Sequence, residues 1–472
     1  VAVLSVFILT RSQTGAANDD LQTDSLGRAF VAGVNSTSPE ERRNIVKRIY
    51  AQTTVTELGE DRLTGLFRQM FDNYGKLTYH HTEIIGSSLH VFARAETNNQ
   101  WHDFQFRLNS GNQLRLRQLA FIADVAEPVY LPNGGITSPF TLQWLNNYID
   151  KLVQENDLAA SVLIAKGDSI IFERYVGYAD AARKRRIGPS TRMNLGSGNK
   201  IFTAISVMQL RDEGKLKLTD TLYQYFPDFP DKRFAASATI QNLLTHTSGL
   251  RDYWDNNYEK KWGHVTKLEQ VLPFVYDDSI AFVPGTQFQY SNSGFIMAGL
   301  IVEKVSGEDY FDYVREHIFK PFGMSNTDSF DMDNGDTTLA DGLSKSDSGW
   351  TNARHGRRGT SAGGGFSTPR DMLKFSRGLN EGNVLAPSTL KEMTEVRTGD
   401  LKSPFPYGYG LMLNLKDTRL RSFGHEGIAP GVNFAFQYYP AQDLTFVIFC
   451  NQDNGAYDDL RKNITKLITG DR

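Results

Sequence analysis

Residues 194–210 read Asn-Leu-Gly-Ser-Gly-Asn-Lys-Ile-Phe-Thr-Ala-Ile-Ser-Val-Met-Gln-Leu, a glycine-rich turn running into an apolar segment that stops near Gly214. The pattern predicts a helix whose first turn carries Ser197, close to unpaired backbone N–H groups and the positive end of the helix dipole. Lys200 follows three positions later, on the same face and within reach of the hydroxyl. A serine hydroxyl is a weak nucleophile at neutral pH and needs an adjacent base. A lysine serves when burial or a neighbouring cation lowers its pKa. Ser-x-x-Lys by itself is weak evidence, since about one chance match is expected in a chain this long. A second copy, Ser388-Thr389-Leu390-Lys391, follows Pro387, and helix N-capping accounts for it.

Two further short motifs lie downstream. Phe288-Gln289-Tyr290-Ser291-Asn292-Ser293-Gly294 contains the chain's only Tyr-x-Asn, and Phe423-Gly424-His425-Glu426-Gly427 its only His-x-Gly. In content and order the three motifs resemble those of the serine β-lactamase and penicillin-binding-protein superfamily. The similarity is greatest to class C β-lactamases, D-aminopeptidases, D-alanyl-D-alanine carboxypeptidases and related esterases. Segments 243–250 (LLTHTSGL), 284–285 (PG), 318–324 (IFKPFGM) and 362–368 (AGGGFST) resemble the same branch. The resemblance covers about 138–470 and does not extend to 25–130.

The resemblance implies that Ser197 is acylated by substrate. Lys200 and Tyr290 would share proton transfer, with Tyr290 also protonating the leaving group. Asn292 would hydrogen-bond substrate and orient Lys200. The backbone N–H groups of Ser197 and Ile428, the latter just beyond Gly427, would form the oxyanion hole. No metal or organic cofactor is required. Where β-lactamases usually carry Lys-Thr-Gly, and the lysine helps to bind the substrate's carboxylate, this chain has His425-Glu426-Gly427. The resemblance implies that His425 and Gly427, with Asn292 and Ile428, are substrate-binding and oxyanion residues. A histidine of reference pKa ~6.5 is mostly neutral at pH 7, and Glu426 adds negative charge beside it. The expected activity is therefore on esters, amides or peptides lacking an obligatory carboxylate, with weak action on penicillins. A β-lactamase or D-alanyl-D-alanine carboxypeptidase is the alternative, and a non-catalytic penicillin-recognising sensor or scaffold is an alternative of another class. The substrate is a small molecule or peptide.

Two other features compete for a role. His246 reads as a polar residue fixing the loop after a helix, because Lys200 and Tyr290 already supply the base. Gly359-Thr360-Ser361-Ala362-Gly363 matches the nucleophile elbow of α/β-hydrolases, but a basic run precedes it and more glycine follows, where a strand and a helix are needed. That glycine run reads as a tight turn bringing backbone near the site.

Around the motifs, residues 142–153 carry one apolar helix face. Strands are expected at Ala160–Lys166 and 169–175, and at Val432–Tyr439 and Leu444–Cys450, with a closing helix bearing Leu460, Ile464, Leu467 and Ile468. One sheet built from both ends, with a helix-rich middle over about 200–400, makes an α/β (α+β) fold of the β-lactamase/transpeptidase-like kind: an antiparallel sheet flanked by terminal helices with a helical insertion. The hydrolase domain spans 138–472, after a linker at 131–137.

Residues 25–130 have a different texture. Helical spacing at 40–51 and 62–71 precedes alternating segments at 88–96, 101–109 and 113–123, an α+β accessory domain similar to a nuclear transport factor 2-like cone. His80, His81, His90 and His102 show no repeated ligand spacing, which argues against a metal site. Residues 1–17, apolar and then small, read as the remnant of a secretory signal, so the protein is expected to be exported to the periplasm or outside the cell.

Composition bounds the rest. The 472 residues allow two to four domains at about 100–200 residues each. A 40% hydrophobic fraction with 22% charged residues excludes disorder as the dominant state. Net charge of −3 carries no basic excess for nucleic acid. No segment approaches the ~20 apolar residues of a membrane-spanning helix. The single cysteine, Cys450, permits no intrachain disulfide and falls in an apolar strand, as core rather than chemistry.

Overall fold

Leu444–Cys450 reads Leu-Thr-Phe-Val-Ile-Phe-Cys and is buried along its whole length. A strand apolar on both faces needs cover on both and partners on both edges. It finds them in a six-stranded antiparallel sheet, ordered Met412–Lys416, Arg419–Ala429, Val432–Tyr439, Leu444–Cys450, Ala160–Lys166 and Ser169–Val176. Cys450 pairs with Ala160 and Leu444 with Lys166, so the two ends of the domain meet at its centre. Burial pushes the Cys450 thiol up to about 12, as expected for a core position. Neighbouring side chains on a strand point to opposite faces. Thr445 accordingly bonds Ser376 of helix Pro369–Glu381, while Phe446 shares a cavity with Thr465 of helix Ala456–Thr469.

The computed structural model describes residues 13–85, 88–109, 115–125, 131–132, 135–254, 258, 260–277, 280–346, 349–353, 356–398, 401 and 403–471. Its contacts divide the chain into two units, with the boundary between Pro132 and Asn133. Part of the expected 131–137 linker lies outside the described residues, as do residues 1–12 of the expected signal remnant.

In the second unit, the middle is helical. Helix Asn199–Asp212 is buried on nearly every side and packs against helix Asn292–Ser306, the other apolar helix of the insertion. Phe202 meets Phe319 and Phe375 edge-on at 4.9 and 5.2 Å. Each such buried ring contributes roughly 1.5–3 kcal/mol, which anchors the helix carrying Lys200. Shorter helical turns are closed by caps, as where Thr239 accepts from Asn242 N–H before Ile240–Leu244. The second Ser-x-x-Lys copy does not cap a helix. Ala386 holds the N-cap position before Pro387–Met393 and no side-chain cap bond forms. Proline at the first position supplies the fixed φ that starts the helix, and Ser388 is left exposed in its first turn.

The first unit is an α+β layer. Helices Gln13–Asn35, Pro39–Ile49, Gln52–Leu58 and Glu60–Tyr74 precede a sequential antiparallel meander of Leu77–Ile85, Ser88–Ala95, Trp101–Leu108 and Leu116–Val125. Phe30 joins the layers, its ring 5.8, 5.2 and 4.8 Å from those of Phe67, Phe104 and Phe106. Two helices and one strand exceed the sequence expectation. The extra strand, Leu77–Ile85, hides because a bulge between Tyr79 and His81 interrupts its alternation. The histidines pack locally. His90 Nδ1 lies 2.8 Å from the buried Asp103 carboxylate, and His81 stacks on Phe92 at 4.6 Å.

Candidate active site

Ser197 sits where strand, turn and helix meet. Met193–Asn194 pairs with Phe366–Ser367, then the 3-10 turn Gly196–Gly198 leads into helix Asn199–Asp212. Leu195 N–H donates to the Gly365 carbonyl at 2.7 Å, and Gly364 N–H to the Gly196 carbonyl at 3.1 Å. The glycine run therefore lies against the turn that carries Ser197, as its composition suggests. Ser361, the serine of the elbow-like motif, is fully buried, while Ser197 is partly accessible.

Lys200 is completely buried. Its Nζ lies 2.6 Å from the Ala362 carbonyl, 2.6 Å from Asn292 Oδ1 and 3.0 Å from Ser197 Oγ. Burial pulls its pKa from 10.5 to about 7, against a smaller upward pull from the Asp252 carboxylate. A neutral amine has two N–H donors and one lone pair. With the donors spent on Ala362 and Asn292, the lone pair is left to accept the Ser197 hydroxyl proton. The Tyr290 ring stands 4.8 Å from Nζ. Burial raises the Tyr290 phenol above its usual range, with Ser197 pulling it back slightly, so at neutral pH it holds its proton.

Sequence reasoning missed what steadies this trio. Asn292 opens helix Asn292–Ser306, capped by Ser291, which accepts from Gly294 N–H at 3.2 Å. Asn292 Nδ2 donates to Asp252 Oδ2 at 2.8 Å. The carboxylate thereby fixes the amide with its oxygen toward Lys200. Asp252 lies two residues beyond the 243–250 segment, and an acidic residue just past a Ser-Gly-Leu turn is the only signal that marks it. His246 takes the positioning role expected of it, with added detail. In left-handed backbone at φ +58°, it accepts from Ser291 N–H at 3.1 Å and stacks on Tyr290 at 4.1 Å.

His425 is fully buried. Its Nδ1–H donates to the Glu426 carbonyl, which leaves Nε2 to accept from Tyr407 at 2.9 Å. Burial and the nearby Lys200 lower its pKa to about 3. Tyr407, itself buried, was not foreseen, since it lies eighteen residues upstream with no motif around it. Glu426 points away from His425 and pairs with Arg461 of the closing helix at 2.8 Å.

Gly427 and Ile428 complete the site. A β carbon at Gly427 would lie 2.0 Å from the Leu195 carbonyl oxygen and 2.9 Å from Ser197 N, while one at Gly196 would lie 3.1 Å from Ile428 N. The two backbone N–H groups expected to form an oxyanion hole thus belong to segments in close contact, and only glycine allows that approach. Gly427→Ala is expected to lower kcat by about 10²-fold or more, the loss for one displaced oxyanion donor. Steady-state ester hydrolysis, with thermal melting to follow the fold, checks this.

Two cavities flank Ser197 and Ile428. One, about 480 Å³, is lined by Tyr290, Phe405, Met412, Glu426 and Arg461 among others. The other, about 390 Å³, is lined by Asp252, Trp254, Tyr258, Asn292 and Phe366 among others. A hydroxyl between two pockets has room for one part of a bound molecule on each side.

Comparison with known proteins points the same way. A family described as Beta-lactamase matches residues 145–470. The putative penicillin-binding protein PbpX of Bacillus subtilis is 26% identical over 326 residues, 68% of this chain and 78% of that protein. The crystal structure of a penicillin-binding protein from Bacillus halodurans is 31% identical, with a TM-score of 0.61 over 68% of this chain and 99% of that one. A D-amino acid amidase from Ochrobactrum anthropi SV3 shares the fold, at 22% identity and a TM-score of 0.60 over 69% of this chain and 99% of that one.

Proposed function

The chain belongs to the beta-lactamase family, and from that premise we propose that it hydrolyses ester, amide or peptide bonds through an acyl-enzyme on Ser197. The observation that carries this reading is the placement of Lys200 Nζ, with two acceptors beside it and the Ser197 hydroxyl as the third neighbour. Lys200 takes the Ser197 proton as Oγ attacks the substrate carbonyl. The oxygen gains negative charge and meets the N–H groups of Ser197 and Ile428. Tyr290 gives its proton to the departing alcohol or amine and recovers one from the Lys200 ammonium. Water then attacks the acyl carbon by the same route in reverse, freeing the acid and restoring Ser197. In this reading Asn292 and Asp252 hold Lys200. His425, expected from the sequence to bind substrate, is fully buried and lines neither cavity beside Ser197, so it acts through Tyr407 and its own strand.

The third motif favours substrates with no obligatory carboxylate. His425 is buried and neutral, so it offers no cation to replace the usual lysine. A panel of short acyl esters, D-amino-acid amides and a chromogenic cephalosporin tests the reading. The expected order is esters, then amides, with the cephalosporin slower by about 100-fold or more in kcat/KM, the size of discrimination that missing polar contacts produce. Cephalosporin turnover equal to that of the esters would overturn the preference. No turnover and no labelling by a fluorophosphonate would favour a penicillin-recognising scaffold.

A further inference from the structure

The larger cavity has a charge balance that narrows the substrates further. Among the described residues lining it, Glu426 and Arg461 are the charged ones. They pair at 2.8 Å, each side chain about one quarter exposed. Glu426 lies on the same strand face as Ile428, two residues on, because side chains alternate along a strand. Ile428 is 67% exposed and lines the cavity together with Ser197. The ion pair therefore shares one wall with Ser197, and Tyr290, the proton donor to the leaving group in the reading above, lines this cavity and not the other.

We propose that the Glu426–Arg461 pair sets leaving-group specificity, excluding leaving groups that carry a carboxylate and admitting uncharged alcohols, phenols and amines. The inference rests on the hydrolase reading above and deepens it. A carboxylate entering this cavity gives up water and meets a guanidinium already neutralised by Glu426. It also lies against the Glu426 carboxylate, and like charges brought together in a partly buried site repel strongly. Asp458, on the helix that carries Arg461, adds negative charge near Glu426. Peptides cleaved one residue from a free C-terminus release a carboxylate-bearing amine, so the pair disfavours carboxypeptidase action. Esters and simple amides meet no such barrier.

The test uses two aryl esters of one acyl group, a phenyl ester and its 3-carboxyphenyl counterpart. The readout is the ratio of their kcat/KM values on each preparation, which cancels losses common to both. The wild-type protein is expected to prefer the phenyl ester by about tenfold or more. Glu426→Gln frees Arg461 and is expected to shrink the preference by about tenfold. Arg461→Met leaves Glu426 unpaired and is expected to widen it, so the sign remains readable even if the first variant fails to fold. A wild-type ratio near one, or a ratio that neither substitution moves, overturns the proposal while leaving the hydrolase intact. Wild-type silence on both esters overturns the hydrolase reading and this inference with it.

Discussion

Ser197→Ala is expected to lower ester turnover by about 10⁶-fold, the scale of loss when a serine hydrolase loses its nucleophile. It is also expected to abolish covalent labelling by a fluorophosphonate. The substitution removes one hydroxyl from a partly accessible position. Lys200 keeps its bonds to Ala362 and Asn292, so no buried donor is stranded and the melting temperature should stay near the wild-type value. The folded variant would retain the backbone N–H groups of residues 197 and 428 and both cavities, and residual catalysis of about 10³-fold over water is expected from them. Ser388→Ala is the matched control. It lies in the other Ser-x-x-Lys copy, exposed on a short helix, and should leave turnover unchanged. Equal activity in Ser197→Ala and wild type would remove Ser197 as nucleophile.

What the sequence disclosed of this site follows from how its parts are encoded. Ser197 and Lys200 share one helical turn, and Tyr290 and Asn292 straddle one helix start, so local spacing reports them. Asp252 and Tyr407 act across elements. Asp252 reaches Asn292 from forty residues away, a relation created only when its loop packs against the start of helix Asn292–Ser306. The same holds for Glu426 and Arg461, joined across a strand and the closing helix. The sheet was legible at both ends because Ala160–Lys166 and Leu444–Cys450 are mostly apolar and almost wholly buried, and these two strands pair with each other. The first unit was less legible. A bulge masks Leu77–Ile85, and helix Gln13–Asn35 has too little apolar asymmetry in its sequence to announce itself.

Lys200→Met is expected to lower kcat/KM by about 10³–10⁴-fold, the contribution of a positioned general base, and to remove the acid limb of the pH profile. The sign follows from the cause of the shift. Burial disfavours the ammonium and brings the Lys200 pKa to about 7, so the amine is neutral and able to accept a proton above that pH. Wild-type kcat/KM should rise about tenfold per pH unit below 7 and level off above about 8. A limb near 7 would ordinarily suggest histidine. Here both candidates are excluded by their surroundings, since His425 is lowered to about 3 and His246 is held well below its usual range by burial and the Lys200 charge. Asp252 separates the assignments further. Its carboxylate raises the Lys200 pKa, so Asp252→Asn should move the limb to lower pH, whereas a limb set by substrate or by a solvent-exposed group would stay in place. A profile whose limb survives Lys200→Met, or ignores Asp252→Asn, would assign the base elsewhere.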